Sequence, residues 1–514
     1  MNDFPTTPQR SVTGTGLFSA RVRMTLTGAL LAFVAIFYLV RVARYCAPYA
    51  SSSDASGYLN SARLLLQTDG VGPVPVPKID GLKPPEWDYF YQQPLGFMVN
   101  REAGTMVPTY PVGLPLHLAL AAQWVGLDYA MVPVGVFLAA AAAGLMITLG
   151  RYFGLSWRWA LAGAALLWGC PLFIFMGTQP MSDVPAMVWV MALVLCTLRA
   201  REHWHWGFAA GLAMAIAVLV RPSNLVALAP VAVILGWRWR AWLALGSGGL
   251  PGAVFLVWYN LRLYGTAFTT GYGDVSSLFS FSFVPHNISH FAWWIPVLLF
   301  PPLALAALGL PWALRGKPRQ QAILISWAAA FIVFYVFYFY SGETWWYLRF
   351  ILPAFPPIIL AGLIVAQRWL DRATAAWKSR LGLAACLIVA LAWQVTIGHQ
   401  KYAWTIKHGE SVYVRTVAWM KAHAPANAIV LQMQASGSFF YYTDFTVVRW
   451  DLIDPTQAQR LYAAARASRR PVYATLFDFE KDRAFLQHLP GHWRHLADVR
   501  QVSVWQLEDS PAVP

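Results

Sequence analysis

Charge is scarce along this chain, and acid is scarcest. Of 514 residues only 12% are charged, with 23 Asp and Glu against 38 Lys and Arg. A soluble domain carries about a quarter charged residues, so a chain wetted on all sides is excluded. Cysteine is also sparse. Cys170, Cys196 and Cys386 fall in apolar runs and Cys46 at the end of one, which excludes a disulfide-stapled scaffold. Residues 401–514 hold no Gly-rich phosphate loop, CxxC or HExxH. The apolar region shows no internal repeat, which argues against the inverted-repeat build of many transporters.

What the chain has in excess is apolar surface: 58% hydrophobic residues and 26 Trp, a composition suited to two lipid–water interfaces. Apolar runs long enough to cross the hydrocarbon core as helices recur throughout and read as about eleven spans. They cover 24–40, 130–150, 159–177, 184–198, 206–220, 225–236, 241–259, 291–314, 321–340, 350–367 and 381–397. The fifth and sixth are short and meet at Arg221-Pro222-Ser223-Asn224, in the manner of a re-entrant hairpin.

The net charge of +15 is distributed by side. With the N-terminus in the cytoplasm, the segments on that face hold sixteen Lys and Arg against three acids, Asp3, Glu202 and Asp371. Positive charge therefore marks orientation, not a nucleic-acid partner; Arg41 and Arg44 are the exceptions, on the outer side. An odd number of spans exports the C-terminus. No small-residue cleavage site follows 24–40, so that run reads as an uncleaved anchor in a plasma or inner membrane.

Three regions follow: a cytoplasmic segment 1–23, a transmembrane domain 24–400 with a large first outer loop 41–129, and an exported soluble α/β domain 401–514. A helix over 114–125 is expected along the outer surface, and the Gly-containing loop 262–290 reads as mobile. In the tail, 428–433, 445–450, 472–477 and 502–507 read as strands, and 411–423, 456–467 and 480–489 as helices. The fold class is a mainly α polytopic membrane protein with a small α/β C-terminal domain.

This topology brings a few polar residues to the outer membrane boundary. Ser51-Ser52-Ser53-Asp54-Ala55-Ser56-Gly57-Tyr58 opens the first loop, and Gln179-Pro180-Met181-Ser182-Asp183-Val184-Pro185 joins the third and fourth spans. Arg221 sits at the hairpin tip, and Glu343 and Arg349 lie in Ser341-Gly342-Glu343-Thr344-Trp345-Trp346-Tyr347-Leu348-Arg349. Acids and arginines at one depth suit transfer from a phosphate leaving group. An acid takes the proton of the incoming hydroxyl, and arginines hold phosphate and stabilise its developing charge. Each residue also has a structural reading. Asp54 and Asp183 suit helix caps, Arg221 suits snorkelling to headgroups, and Glu343 with Arg349 suits a mutual ion pair. The aromatic run 331–340 reads as an interface belt. His286 and His290, at i and i+4, lack a third ligand in sequence.

These segments resemble the GT-C glycosyltransferases, in particular the group of protein O-mannosyltransferases (glycosyltransferase family 39) and the lipid A aminoarabinose transferases. The carriers are Ser53-Asp54 with Tyr58 and Ala62, Ser182-Asp183-Val184-Pro185, and Leu219-Val220-Arg221-Pro222-Ser223-Asn224. Tyr264-Gly265-Thr266-Ala267-Phe268-Thr269-Thr270-Gly271-Tyr272 and Trp345-Trp346-Tyr347-Leu348-Arg349-Phe350-Ile351-Leu352-Pro353 complete the set. The resemblance covers 24 to about 400. It implies a membrane glycosyltransferase, a hexosyl or pentosyl transferase, that attacks a polyprenyl-phosphate-linked sugar donor with inversion on the non-cytoplasmic, periplasm-facing side. The acceptor is a protein, lipid or glycan hydroxyl. On this reading Asp54 is the base, Asp183 orients the acceptor or a cation, and Tyr58, Arg221, Glu343 and Arg349 bind substrate. Many members carry paired acids where this chain has Asp54-Ala55, which argues against a strong metal site; no cofactor is assigned and a divalent cation stays open. The other readings are a lipid or sugar flippase, which needs polar residues at mid-membrane depth, and a non-catalytic membrane scaffold.

Overall fold

The computed structural model describes residues 14–67, 71–340, 342, 344–373 and 376–508. Apolar runs that meet lipid must satisfy every backbone group internally, and here they do so as helices. After α1 (Gly14–Tyr45) the first loop opens with α2 (Ser53–Leu65). A small antiparallel sheet of β1 (Val74–Pro75), β2 (Phe97–Asn100) and β3 (Thr105–Pro108), in the order β1-β3-β2, lies beyond it. α3 (Gly113–Val125) is the helix expected over 114–125 and buries Leu114 and Leu118.

The bundle continues with α4 (Met131–Tyr152), α5 (Trp157–Gly169), α6 (Pro171–Gly177), α7 (Asp183–Ala200), α8 (Trp206–Val220) and α9 (Leu228–Leu235). α10 (Trp239–Tyr264), α11 (Val284–Leu299), α12 (Pro301–Ala307), α13 (Leu310–Ala313), α14 (Pro318–Val336), α15 (Phe355–Ala373) and α16 (Ala376–Gln400) complete it. Each expected run is helical, but the span count is lower than eleven. Among the described residues seven helices are long and apolar enough to cross a membrane, and nine if two bent pairs each count as one span. The pairs bend by 60° before Pro171 and by 117° before Pro301, where proline supplies no N–H to continue the helix. The remaining two runs, α8 and residues 222–235, are shorter than a full crossing. α8 instead packs backbone to backbone on α10. A Cβ on Gly211 or Gly248 would collide with the facing main chain, so only glycine permits this approach.

The C-terminal region is a small α/β domain. α17 (Ile406–His423), β4 (Ile429–Leu431), α18 (Ser436–Tyr442), β5 (Thr446–Val448), α19 (Pro455–Ala467), β6 (Val472–Phe477), α20 (Asp478–Arg483), β7 (Trp493–Val499) and β8 (Val502–Leu507) follow in order. The sheet runs β5-β4-β6-β8-β7, parallel on the β5 side and antiparallel on the β7 side. Every residue of β6 is buried, as a central strand covered on both faces requires. The domain's core extends beyond the tail. Ile79 and Trp87 of the first loop, both buried, belong to the cluster of Ile429, Leu431, Trp450 and Leu461, and Arg449 N donates to Tyr91 O at 2.7 Å.

Candidate active site

Local sequence places each polar group. α8 ends at Val220 because Pro222 biases the preceding residue away from helical backbone, and Arg221 is extended (φ −154°, ψ 111°). Asn224 Nδ2 donates back to Ala217 O at 2.7 Å, the same carbonyl that accepts from Arg221 N at 2.9 Å, and so ties the turn to the helix end. Asp183 opens α7 just after the Pro180 loop. Asp54 stands in the first turn of α2, entered through Ser52 with φ +47°. Arg349 lies in a 3-10 segment, Trp345–Ala354, that leads into α15.

The four charged groups form two ion pairs. Arg349 Nη1 donates to Asp54 Oδ2 at 2.8 Å, with the two side chains 17% and 23% exposed. Arg221 Nη2 donates to Asp183 Oδ1 at 2.7 Å and to Ser182 Oγ at 3.1 Å, and Asp183 is 1% exposed. One ring joins the pairs. The Arg221 and Arg349 guanidinium carbons lie 5.4 and 4.9 Å from the centre of Phe350, within cation–π range of the same face-bearing group. Arg349 Nε is buried without an acceptor among the described residues, a donor left for an incoming oxygen.

Tyrosines wall the site. The Tyr58 and Tyr110 rings are 5.0 Å apart, Tyr272 stands edge-on to Tyr110 at 6.0 Å, and the Tyr110 hydroxyl is 2.7 Å from Ser53 Oγ. On the far side the Tyr335 hydroxyl is 2.6 Å from Ser223 Oγ, and its ring stacks on Phe350 at 5.4 Å. Burial works to raise the Asp54 carboxyl. The Arg349 guanidinium, the Tyr110 hydroxyl and the more distant Arg221 charge outweigh it and hold the group below the ordinary carboxylate range. Asp54 is therefore an anion at neutral pH. Burial, and the Asp54 charge after it, push the Tyr58 hydroxyl the other way, so it stays protonated and able to donate.

Asp54, Tyr58, Asp183, Arg221 and Arg349 thus converge. Glu343 lies outside the described residues, and the partner of Arg349 among those described is Asp54. Neither acid caps its helix: Ser52 and Ser182 hold those positions without a side-chain bond, and both carboxylates turn to arginines. Arg221 is anchored to Asp183 and does not reach outward to headgroups. The run 331–340 is no simple interface belt, since Phe331 and Tyr335 are buried and Tyr335 and Tyr338 pack on Phe350. His290 Nε2 lies 3.1 Å from Thr344 O, its ring among Tyr340 and Tyr347. No group of three or more His, Cys, Asp or Glu among the described residues is placed to hold a metal. Tyr110, Tyr272, Tyr335 and Phe350 were not singled out by sequence reasoning. In a chain that is 15% aromatic no residue type marks them, although Tyr272 and Phe350 lie inside the quoted motifs.

No protein-family model and no curated protein matches this sequence. Solved structures do match its fold. ArnT from Cupriavidus metallidurans bound to undecaprenyl phosphate superposes with a TM-score of 0.58 and 14% identity, over 95% of this chain and 100% of that one. The archaeal oligosaccharyltransferase AglB from Archaeoglobus fulgidus, in complex with an inhibitory peptide and a dolichol-phosphate, gives 0.53 and 10%, over 88% and 69%. The arabinofuranosyltransferase AftD from Mycobacteria gives 0.52 and 13%, over 94% and 42%. All three are GT-C glycosyltransferases, and this chain has their fold. It is a multi-pass membrane protein.

Proposed function

We propose that this chain, built on the GT-C fold, is an integral membrane glycosyltransferase. It moves a sugar from a polyprenyl-phosphate-linked donor to an acceptor hydroxyl on the non-cytoplasmic face, with inversion. The observation that carries the reading is the pairing of Asp54 with Arg349 and of Asp183 with Arg221 around one phenylalanine. Such a cluster supplies both halves of the reaction. The Asp54 carboxylate accepts the acceptor's proton as its oxygen bonds to the anomeric carbon. The bond from that carbon to the phosphate oxygen breaks, and the guanidinium groups of Arg349 and Arg221 stabilise the polyprenyl phosphate that leaves. Asp183, closed off from solvent, serves this step by fixing Arg221. Tyr58 keeps its proton and lines the acceptor side.

Two features of solved relatives support the donor class: undecaprenyl phosphate in ArnT and a dolichol-phosphate in AglB. We read the N-terminus as cytoplasmic and the C-terminal domain as exported, a reading that the positive charge bias of the loops supports. Sugar and acceptor are read directly by mass spectrometry of cell-envelope glycans and glycolipids with and without the gene. Loss of one sugar substituent, with accumulation of its polyprenyl-phosphate donor, is the expected outcome. An unchanged envelope contradicts the enzyme reading.

A further inference from the structure

Helix α2 has two working faces. Asp54 and Tyr58, one turn apart, face the ion pairs and the tyrosine wall. Ser56, Asn60 and Arg63, at i, i+4 and i+7, fall on the roughly opposite side of a helix that advances about 100° per residue. That second face is covered by α18 of the C-terminal domain.

The contact is specific. Asn60, fully buried, donates through Nδ2 to Gly437 O at 2.9 Å. Arg63 donates through Nη1 to Tyr441 O at 2.8 Å and through Nη2 to Phe440 O at 3.0 Å. These are the last carbonyls of α18, which have no partner within their own helix, and a cation is favoured at that end. At Gly437 the two helices touch. A Cβ there would overlap Ser56 Oγ and lie 2.7 Å from Leu95 O. Ser436 Oγ accepts from Leu95 N at 3.0 Å, and the Tyr442 hydroxyl accepts from Ala50 N at 3.0 Å. From α17, the Glu410 carboxyl meets the Ser51 hydroxyl ahead of the strained Ser52. The tail is therefore bonded to both ends of the segment that carries Asp54.

We propose that the C-terminal domain is a working part of the active site, with α18 setting the position of Asp54 through Gly437, Asn60 and Arg63 as positioning residues. The proposal rests on Asp54 being the base. A helix held on one face by a close-packed neighbour cannot absorb an added methyl by local adjustment, because the facing atoms include the Leu95 main chain. It shifts toward the site instead. A displacement of about 1 Å in a reacting group is enough to lower turnover by about 10²-fold.

The test uses the full chain in micelles with a polyprenyl-phosphate sugar and compares wild type, Gly437→Ala, Arg63→Met and Asp54→Asn. For the first two, kcat should fall by about 10–10²-fold while KM for the donor holds, because Arg221 and Arg349 ride on other elements. The acidic limb of kcat should move to higher pH as Asp54 leaves Arg349. Ser56→Gly placed beside Gly437→Ala removes the side chain struck by the new methyl and should recover kcat in part. A purely scaffolding contact lowers the amount of folded protein without moving the limb. Folded Gly437→Ala and Arg63→Met proteins with wild-type kcat and limb overturn the proposal. If Gly437→Ala does not fold, Arg63→Met alone decides by the same two readouts. Asp54→Asn separates the two levels. If it is inactive and the clamp variants are normal, only the clamp fails. If it is fully active, the base assignment fails and the clamp with it.

Discussion

Removing Arg221 should damage the fold as well as the chemistry, and the two losses can be separated. Its partner Asp183 is 1% exposed, and Asp183 Oδ2 has no hydrogen-bond partner among the described residues. Arg221→Met therefore leaves a carboxylate buried with nothing to balance it, a change that costs about 3–5 kcal/mol. Changing both residues, Arg221→Met with Asp183→Leu, removes the stranded charge along with the pair. Such replacements are neutral or stabilising by about 1–4 kcal/mol. Denaturant unfolding in micelles, followed by Trp fluorescence, reads the stability, and a transfer assay on the same samples reads the chemistry. The single variant should be unstable and inactive. The double variant should regain stability yet remain about 10²–10³-fold below wild type in transfer, the loss expected for one donor aimed at developing charge. A double variant that regains transfer would reduce Arg221 to scaffolding. A single variant as stable as wild type would refute the buried pair itself.

Asp54 is held below its ordinary value of 3.8 by Arg349 against the opposing effect of burial, so activity should be constant through neutral pH and fall only as pH drops through the lowered value. Arg349→Gln removes the largest lowering influence and should move that falling limb to higher pH, which a pH profile of kcat reads; an unmoved limb contradicts the pairing. Phe350→Leu keeps bulk but removes the ring shared by both arginines; KM for the donor should rise, by the equivalent of about 0.5–2 kcal/mol per lost cation–π contact. Trp87→Ala should destabilise the C-terminal domain by about 3–5 kcal/mol although it lies in the first loop, and limited proteolysis of the full chain would show it as new cleavage after residue 401.

The helices were legible because lipid leaves an apolar run almost no alternative. The count of spans was less so: proline breaks at Pro171 and Pro301 turn single runs into bent pairs, and the short runs around Arg221 have the composition of a span without its length. In the tail, β4, β5, β6 and β8 are buried strands with apolar sequence. β7 escaped notice because it is an edge strand carrying Arg494, His495 and Asp498, with a register shift between His495 and Ala497. α18, Ser436-Gly437-Ser438-Phe439-Phe440-Tyr441-Tyr442, has no helical stripe of its own and is stabilised from outside by Asn60 and Arg63. The site residues were found by type and topology, but their partners were not. Arg349 bonds to Asp54, 295 positions distant in sequence, and no local rule anticipates such a partner.

The central claim is that Asp54 is the base for sugar transfer, and Asp54→Asn tests it most directly. Asn keeps the size of the side chain and an oxygen for Arg349 but cannot take a proton. Neither residue is needed as a cap, since Ser52 occupies that position. Transfer from a polyprenyl-phosphate sugar, compared at matched levels of inserted protein, should fall by about 10²–10⁴-fold. Wild-type transfer by a stably inserted Asp54→Asn protein would contradict the account.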